Sequence, residues 1–446
     1  MLNGLIVSVA LASILLAAFS GQMQALTDSI LSSARNAVDL AIGLVGVMAF
    51  FLGLFRVAEN AGLLRHLARL LGPVLHRLFP SVPVGSPAMS AMILNISSNM
   101  LGLGNAATPF GIRAMEELDK LNSKPGTATN AMVMFLAINT SALAVLPSGV
   151  VGLRASVGSD DAMGIFIPTW FASGCATVVA VTAALLLSRL WIYRSTEPAP
   201  LTPADTGDVA RHPGRLGVGV VAGAVAGAVA FDAPEALDPK PLRRWLGWLF
   251  WLALAGLLAR FVWGSRTGTG DLVTDVTSAW MLPTLVAALV LYGWVRGVRV
   301  YDSLVEGAKQ GFQVAIRIIP YLVVILVVVG MFRASGGIEW IVFVISPVTE
   351  LIGLPAEALP MALLRPLTGT GAFGVMAEAM TVHGADSLIG YMVSTFQGST
   401  ETTFYTLAVY YGAVGIRETR HTVPACLLAD TAGILGAVFI VNLMFG

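Results

Sequence analysis

Seven apolar runs, each about one bilayer crossing long, decide what this chain can become: residues 2–20, 39–55, 163–190, 245–263, 279–295, 312–332 and 422–445. A helix needs roughly 20 residues to cover ~30 Å of hydrocarbon. Backbone N–H and C=O groups find no water there, so such runs fold as helices. Two further stretches, 127–148 and 386–413, have the length of a crossing but carry polar residues at their centres. Composition agrees: 56% of the 446 residues are hydrophobic and 12% are charged, against roughly 25% charged in soluble domains. The expected fold class is an all-α polytopic membrane protein.

Several function classes fall away. The first run has no basic residues before it and leads through a polar stretch into another span, so it reads as a retained helix rather than a cleaved signal. Cys175 and Cys426 stand alone in apolar helices, without C-x-x-C spacing or clustered histidines, as small core residues do. No metal or cofactor is expected. Zero formal net charge without a long Lys/Arg run gives no footing for nucleic acid. Gly369, Gly371 and Gly374 satisfy G-x-G-x-x-G, but no strand precedes them, so a dinucleotide site is not inferred. There is no H-E-x-x-H or G-x-S-x-G motif, and Glu378, Glu401 and Asp430 form no recognisable dyad, so no enzyme is expected.

The chain repeats itself. "ARNAVDLAIGLVG" from Ala34 lines up with "AKQGFQVAIRIIP" from Ala308, and "GLFR" at 53–56 answers "GMFR" at 330–333. "LGLG" at 101–104 matches "LTGTG" at 367–371, "INTSA" at 138–142 matches "QGSTE" at 397–401, and "GLR" at 152–154 matches "GIR" at 415–417. Pro168 and Pro424 each open a final helix. Matches in one order imply two copies, 1–194 and 278–446. Residues 195–277 form a joining piece with one helix at about 245–263, behind the Pro- and Asp-bearing linker "STEPAPLTPADTGDVARHPG".

Charge orients the copies. Arg56, Glu59, Arg65, Arg69 and Arg77 give one loop a net +3, whereas Arg333, Glu339, Glu350 and Glu357 give its counterpart −2. Around the "G-x-R" motifs the sign reverses, −1 with Arg154, Asp160 and Asp161 and +1 with Arg417, Glu418 and Arg420. Equivalent loops therefore lie on opposite sides, as inverted-topology repeats require. Inversion needs an odd number of crossings between the starts of the copies. Four crossings per copy plus 245–263 meet that, giving nine transmembrane helices. Segments 94–111 and 360–380 then re-enter rather than cross, 215–231 does not span, and the N-terminus is cytoplasmic with the C-terminus outside.

The polar segments point to a site. Irregular backbone at membrane depth survives only where protein or a water-filled cavity satisfies it. "NMLGLGNAATPFG" and "LLRPLTGTGAFG" both weaken a helix with glycine and proline. Such paired, interrupted segments in corresponding halves mark a transporter's midplane site. Asn95, Asn99 and Asn105 fit a polar cavity better than close packing of small residues. The candidate solute-binding residues are Asn99, Asn105, Thr108, Asn139, Thr140 and Ser141 from the first copy, with Thr368, Thr370, Gln397, Ser399, Thr400 and Glu401 from the second. Glu401, inside an apolar run, is the leading coupling-ion carboxylate, with Arg365 or Arg417 as structural partners in the duller alternative. Asp430 suits either a cation or a pairing with Arg420 or His421. Glu378 suits a helix cap or a water-facing position, and His421 a solvated one at the inner surface.

"NMLGLGNAATPFGIRAMEELDKLN" with "MFLAINTSA" resembles spore maturation protein A. "EGAKQGFQVAIRIIPYLVVILVVVGMFRASGG", "RPLTGTGAFGVMAE" and "STFQGSTETTFYTLAVYYGAVGIRETRH" resemble spore maturation protein B. The likeness covers about 1–194 and 278–446, as if the two were fused. It implies the nucleoside-recognition or "Gate" group, a multi-pass place in the bacterial inner membrane, and a transport-like role. The expected partners are the lipid bilayer and a small polar solute, nucleoside-like or ionic; a homo-oligomer is left open. The alternative function is a non-transporting scaffold or regulator of envelope or spore maturation, which would keep the packing glycines and tolerate Glu401→Gln.

Overall fold

The computed structural model describes residues 2–83, 86–100, 104–141, 147–198, 241–264, 280–337 and 340–446, the last span interrupted at 341–342, 345–346 and 348. Among these residues the elements are helices, and the one β contact is an isolated bridge between Thr127 and Glu418. In order they are α1 (Leu2–Ser20), α2 (Met23–Asn60), α3 (Leu63–Leu78), α4 (Pro87–Met100), α5 (Gly104–Asp119), α6 (Asn130–Thr140), α7 (Ser148–Ser156), α8 (Phe166–Arg189) and α9 (Trp191–Arg194). There follow α10 (Pro241–Gly264), α11 (Met281–Val295), α12 (Val300–Ala334), α13 (Leu359–Leu364), α14 (Gly369–His383), α15 (Leu388–Ser399), α16 (Thr403–Val414) and α17 (Thr422–Phe445). The segment 215–231 lies outside the described residues.

Among the described residues, four stretches are long and apolar enough to cross a membrane: Met23–Asn60, Phe166–Arg189, Trp245–Trp263 and Thr422–Phe445. Ile6–Ser20, Asn130–Thr140, Met281–Val295 and Leu322–Ala334 are shorter apolar helices. The runs 39–55 and 312–332 are the apolar middles of longer helices. At 1.5 Å per residue the 38-residue α2 is about 57 Å long, more than a bilayer is thick.

Two helix pairs form the frame, and each joins segments that carry matched motifs. α2 runs antiparallel to α12: Gly307 faces Leu52 and Gly53, Gly311 faces Met48 and Ala49, and Gly330 faces Ser29 and Ser33. A methyl group on Gly307 or Gly311 would strike the backbone of α2, so only glycine allows this approach. Arg56 holds both Glu59 and Glu306, at 2.9 and 2.6 Å, at one end of the seam. α8 runs antiparallel to α17, with Cys175 against Gly436 and Ala176 against Gly433.

Both polar-centred stretches differ from the expected crossings. Residues 386–413 are two helices, α15 and α16, parted at Thr400–Thr402. In 127–148, α6 stops at Thr140 and α7 starts at Ser148. The segments expected to re-enter are helix–turn–helix hairpins, α4–α5 and α13–α14. Residues 101–103, between α4 and α5, lie outside the described residues.

Two clamps tie the loops at the helix ends. Arg154, wholly buried, donates to Ala385 O at 2.7 Å and Asp386 Oδ1 at 2.8 Å, and lies 4.3 Å over the Tyr391 ring. In the loop that carries the second "G-x-R" motif, Glu418 and Arg420 grip residues 124–130. Ala128 N donates to Glu418 O at 2.9 Å, and Arg420 Nη1 reaches Asn130 Oδ1 at 2.9 Å. Arg420 has a φ of 51°, a left-handed conformation that its several bonds to the neighbouring loop maintain. His421, expected from sequence to be solvated at the inner surface, is instead buried. It is 1% exposed, its ring 5.3 Å from that of Tyr193, because the clamp folds α9 over it.

Candidate functional site

The two interrupted helices meet at their interruptions. The backbone N–H of Glu401, in the gap between α15 and α16, donates to the carbonyl of Thr140 at the end of α6, at 2.8 Å. A helix's last carbonyls have no partner within the helix, and here the gap between α15 and α16 supplies one. Gly398 of α15 packs against Thr169 of α8 and Pro147 just before α7. The breaks thus cross inside the molecule, and each hairpin sends a polar group to one of them.

From the first hairpin, Asn99 Nδ2 donates to Asn139 Oδ1 at 2.9 Å, and Asn139 in turn donates to Phe135 O at 2.8 Å. Asn95, fully buried, donates to Ala107 O across the hairpin at 2.8 Å and to Tyr410 Oη at 3.1 Å. Gly111 gives Tyr410 room to lie there. From the turn of the second hairpin comes Arg365, which is 3% exposed. Its guanidinium donates to Thr402 Oγ1 at 2.9 Å, to Gln397 O at 3.2 Å and to Thr400 O, and it stands 3.9 Å from the Glu401 carboxylate. Arg365 therefore supplies positive charge where the exposed carbonyls of α15 end, the favourable sign for a helix C-terminus. Phe404 N donates to Pro366 O at 3.1 Å, which docks the same turn on the start of α16.

Asp430, midway along α17 and 2% exposed, lies beside this junction. Its Oδ2 accepts from Thr403 Oγ1 at 2.7 Å, and Arg365 is its nearby cation. It pairs with neither Arg420 nor His421. Five buried atoms around the junction have no hydrogen-bond partner among the described residues: Asn95 Oδ1, Arg365 Nε, Gln397 Oε1, Thr400 Oγ1 and Asp430 Oδ1. Buried polar atoms are nearly always paired, so these five are free to bond water or a polar solute.

The sequence-selected residues divide accordingly. Asn99, Asn139, Thr140, Gln397, Thr400, Glu401 and Asp430 come together at the crossing. Thr140, Ser141 and Ser399 direct their hydroxyls to carbonyls of their own helices, at 3.0, 2.9 and 3.3 Å. Thr368 caps α14 by accepting from Gly371 N at 3.1 Å. Thr370 is exposed on that helix. Thr108 is half-buried on α5, and the side chain of Asn105 lies outside the described residues. Glu401 is 52% exposed, so the enclosed carboxylate is Asp430. Glu378 neither caps nor faces water freely: it pairs with Arg333 at 2.6 Å. In the sequence Arg365 stands out only as a flank of the second interrupted segment and a partner for Glu401, and Thr403 only as one of a polar cluster; Tyr410 gives no signal there.

Comparison with known proteins places this geometry in a family. The Gate model, described as nucleoside recognition, matches residues 41–157 and 315–417, which take in both breaks and both hairpins. The chain is similar to spore maturation protein B of Bacillus subtilis strain 168, 45% identical over 166 residues, covering 37% of this chain and 93% of that protein. It is also similar to spore maturation protein A of the same organism, 36% identical over 194 residues, or 44% of this chain and 97% of the relative. Inner membrane protein YjiG of Escherichia coli K12 is 32% identical over 96 residues, 21% of this chain and 61% of that protein.

Proposed function

From a chain that belongs to the family of spore maturation proteins A and B, consistent with a fusion of the two, we propose a secondary transporter or channel-like carrier of a small polar solute in the bacterial inner membrane. The observation that carries the reading is the crossing of two broken helices, joined by the Glu401 N–H to Thr140 O bond and surrounded by unpaired buried polar atoms. Broken helices and re-entrant hairpins from two halves of one chain are how carriers place backbone dipoles at a midplane site. Antiparallel packing of α2 on α12 and α8 on α17 supports two inverted repeats with opposite-facing hairpins; nine crossings are proposed with each broken pair, α6–α7 and α15–α16, counted as one. The orientation proposed from loop charge puts the N-terminus in the cytoplasm and the C-terminus outside.

In this reading Asn99, Asn139, Gln397 and Thr400 orient the solute through amide and hydroxyl groups. Asp430, with Glu401 at the more exposed edge, binds the coupling proton or cation. The nucleoside-recognition description of the family supports a nucleoside-like solute. Movement of one repeat against the other would open the site to each face in turn. The contact between Arg365 and Glu401 favours the second reading, a static scaffold, because it ties the break of one helix to a hairpin. Uptake of radiolabelled nucleosides into proteoliposomes, under sodium or proton gradients, separates the two. Carriage predicts gradient-dependent uptake that Asp430→Asn and Asn139→Ala abolish; a scaffold gives no uptake above empty liposomes.

A further inference from the structure

Away from the crossing breaks, a cavity of 460 Å³ opens between α2, α7, α12 and α14. α2 gives it Ser29, Ser33, Asn36 and Asp39. Their spacings of three and four residues put all four side chains on one face of the helix. A polar face of this length on a helix that continues as an apolar span faces water or a ligand, since lipid would leave its groups unsatisfied. Opposite, Gly330 of α12 adds no side chain, and a methyl group there would run into Ser33 Oγ. The space thus depends on glycine at that position.

The charges in the wall are asymmetric. Arg333 donates to Glu378 at 2.8 Å, and the two neutralise each other across the floor. Asp39 has no hydrogen bond or ion pair among the described residues. Two carboxylates against one guanidinium leave the lining with one negative charge, and low-dielectric walls focus such a field into the opening. The hydroxyls of Ser29 and Ser33 and the amide of Asn36 can complete a shell around a positively charged group without adding charge of their own.

We propose that this cavity is a second binding site, a vestibule that takes a small monovalent cation or a solute bearing one positive charge, with Asp39 as its counter-charge. The site lies about 14–18 Å along α14 from the hairpin turn, given nine to twelve residues at 1.5 Å between Gly369 and Glu378–Thr381. Its chemistry does not depend on whether solute passes the crossing breaks, so a failed uptake assay leaves it standing.

The test uses the full chain with Cys175→Ala and Cys426→Ala, the free cysteines, and Ser33→Cys as reporter. Reaction rates with a cationic trimethylammonium methanethiosulfonate and an anionic sulfonate analogue are each divided by the rate of a free thiol. The normalised cation-over-anion ratio is expected on the order of tenfold, the low end of electrostatic focusing. Asp39→Asn brings it towards one, and Asp39→Glu retains it, which separates loss of charge from loss of fold. Excess tetramethylammonium slows the labelling, whereas sucrose does not. Absence of reaction with either reagent, a ratio that Asp39→Asn leaves unchanged, or labelling that tetramethylammonium does not slow would each overturn the assignment.

Discussion

Replacing Arg365 with methionine removes the group that holds the second break to the second hairpin. The guanidinium is 3% exposed and serves Thr402 Oγ1, Gln397 O and Thr400 O, with Asp430 and Glu401 as its counter-charges. Hydrogen bonds to a charged group contribute about 1.5–3 kcal/mol each, and breaking a buried charged pair by removing one partner costs about 3–5 kcal/mol. Glu401 is 52% exposed, so solvent screens its share to a small part. The loss is therefore dominated by the stranded carbonyls and by Asp430, together roughly 4 kcal/mol. For a chain of 446 residues that corresponds to a fall in Tm on the order of 5 °C. Adding Asp430→Asn removes the uncompensated charge and should recover about 1–3 kcal/mol, a coupling typical of groups in one network. The assay is thermal unfolding in detergent, followed by tryptophan fluorescence and by recovery of monodisperse protein. An unchanged Tm in Arg365→Met would refute the pin. So would a double variant whose loss equals the sum of the two single losses.

Arg154→Met should destabilise more than Asp386→Asn, because the arginine is wholly buried with five acceptors while the aspartate is one-third exposed. Limited proteolysis at residues 383–387 reports the released loop, and equal protection in both variants would count against the clamp. Stability should also fall with acid through His421, whose pKa burial, reinforced by Arg420, lowers from 6.5 to about 4. The unfolded chain then takes up the proton first. Stability is full above about pH 6.5 and drains as pH falls towards 4, by up to about 1.4 kcal/mol per pH unit. Melting curves at pH 5 and 7.5 should lie closer together in His421→Gln than in the parent chain.

The helices were legible in the sequence wherever the reason for them is local. Lipid-length apolar runs became α1, α8, α10, α11 and α17, and glycine with proline marked both hairpins. The break inside 386–413 was not legible, because an apolar run with Gln397, Thr400 and Glu401 also suits an intact helix with one polar face. What parts it is Arg365, which takes the carbonyls of Gln397 and Thr400 from 32 and 35 residues away. The same long-range logic shifted the enclosed carboxylate from Glu401 to Asp430. Hydropathy flags both as intramembrane acids; burial between α16 and α17 alone tells them apart. Thr370 is the converse case: its motif has a match in the other copy read from sequence, and in the structure the residue is exposed. The interlocking loops at Arg154 and Arg420 were visible only as charge signs, because loop charge gives a side of the membrane and not a partner.

Alternating access requires the proposed site at the crossing breaks to open to each membrane face in turn. Thr400→Cys, in the chain lacking its two native cysteines, places a reporter 1% exposed at that crossing. Right-side-out and inside-out vesicles are treated with a membrane-impermeant maleimide. Alternating access predicts slow labelling from both faces; no labelling from either face, with Ser33→Cys still reactive, would contradict it.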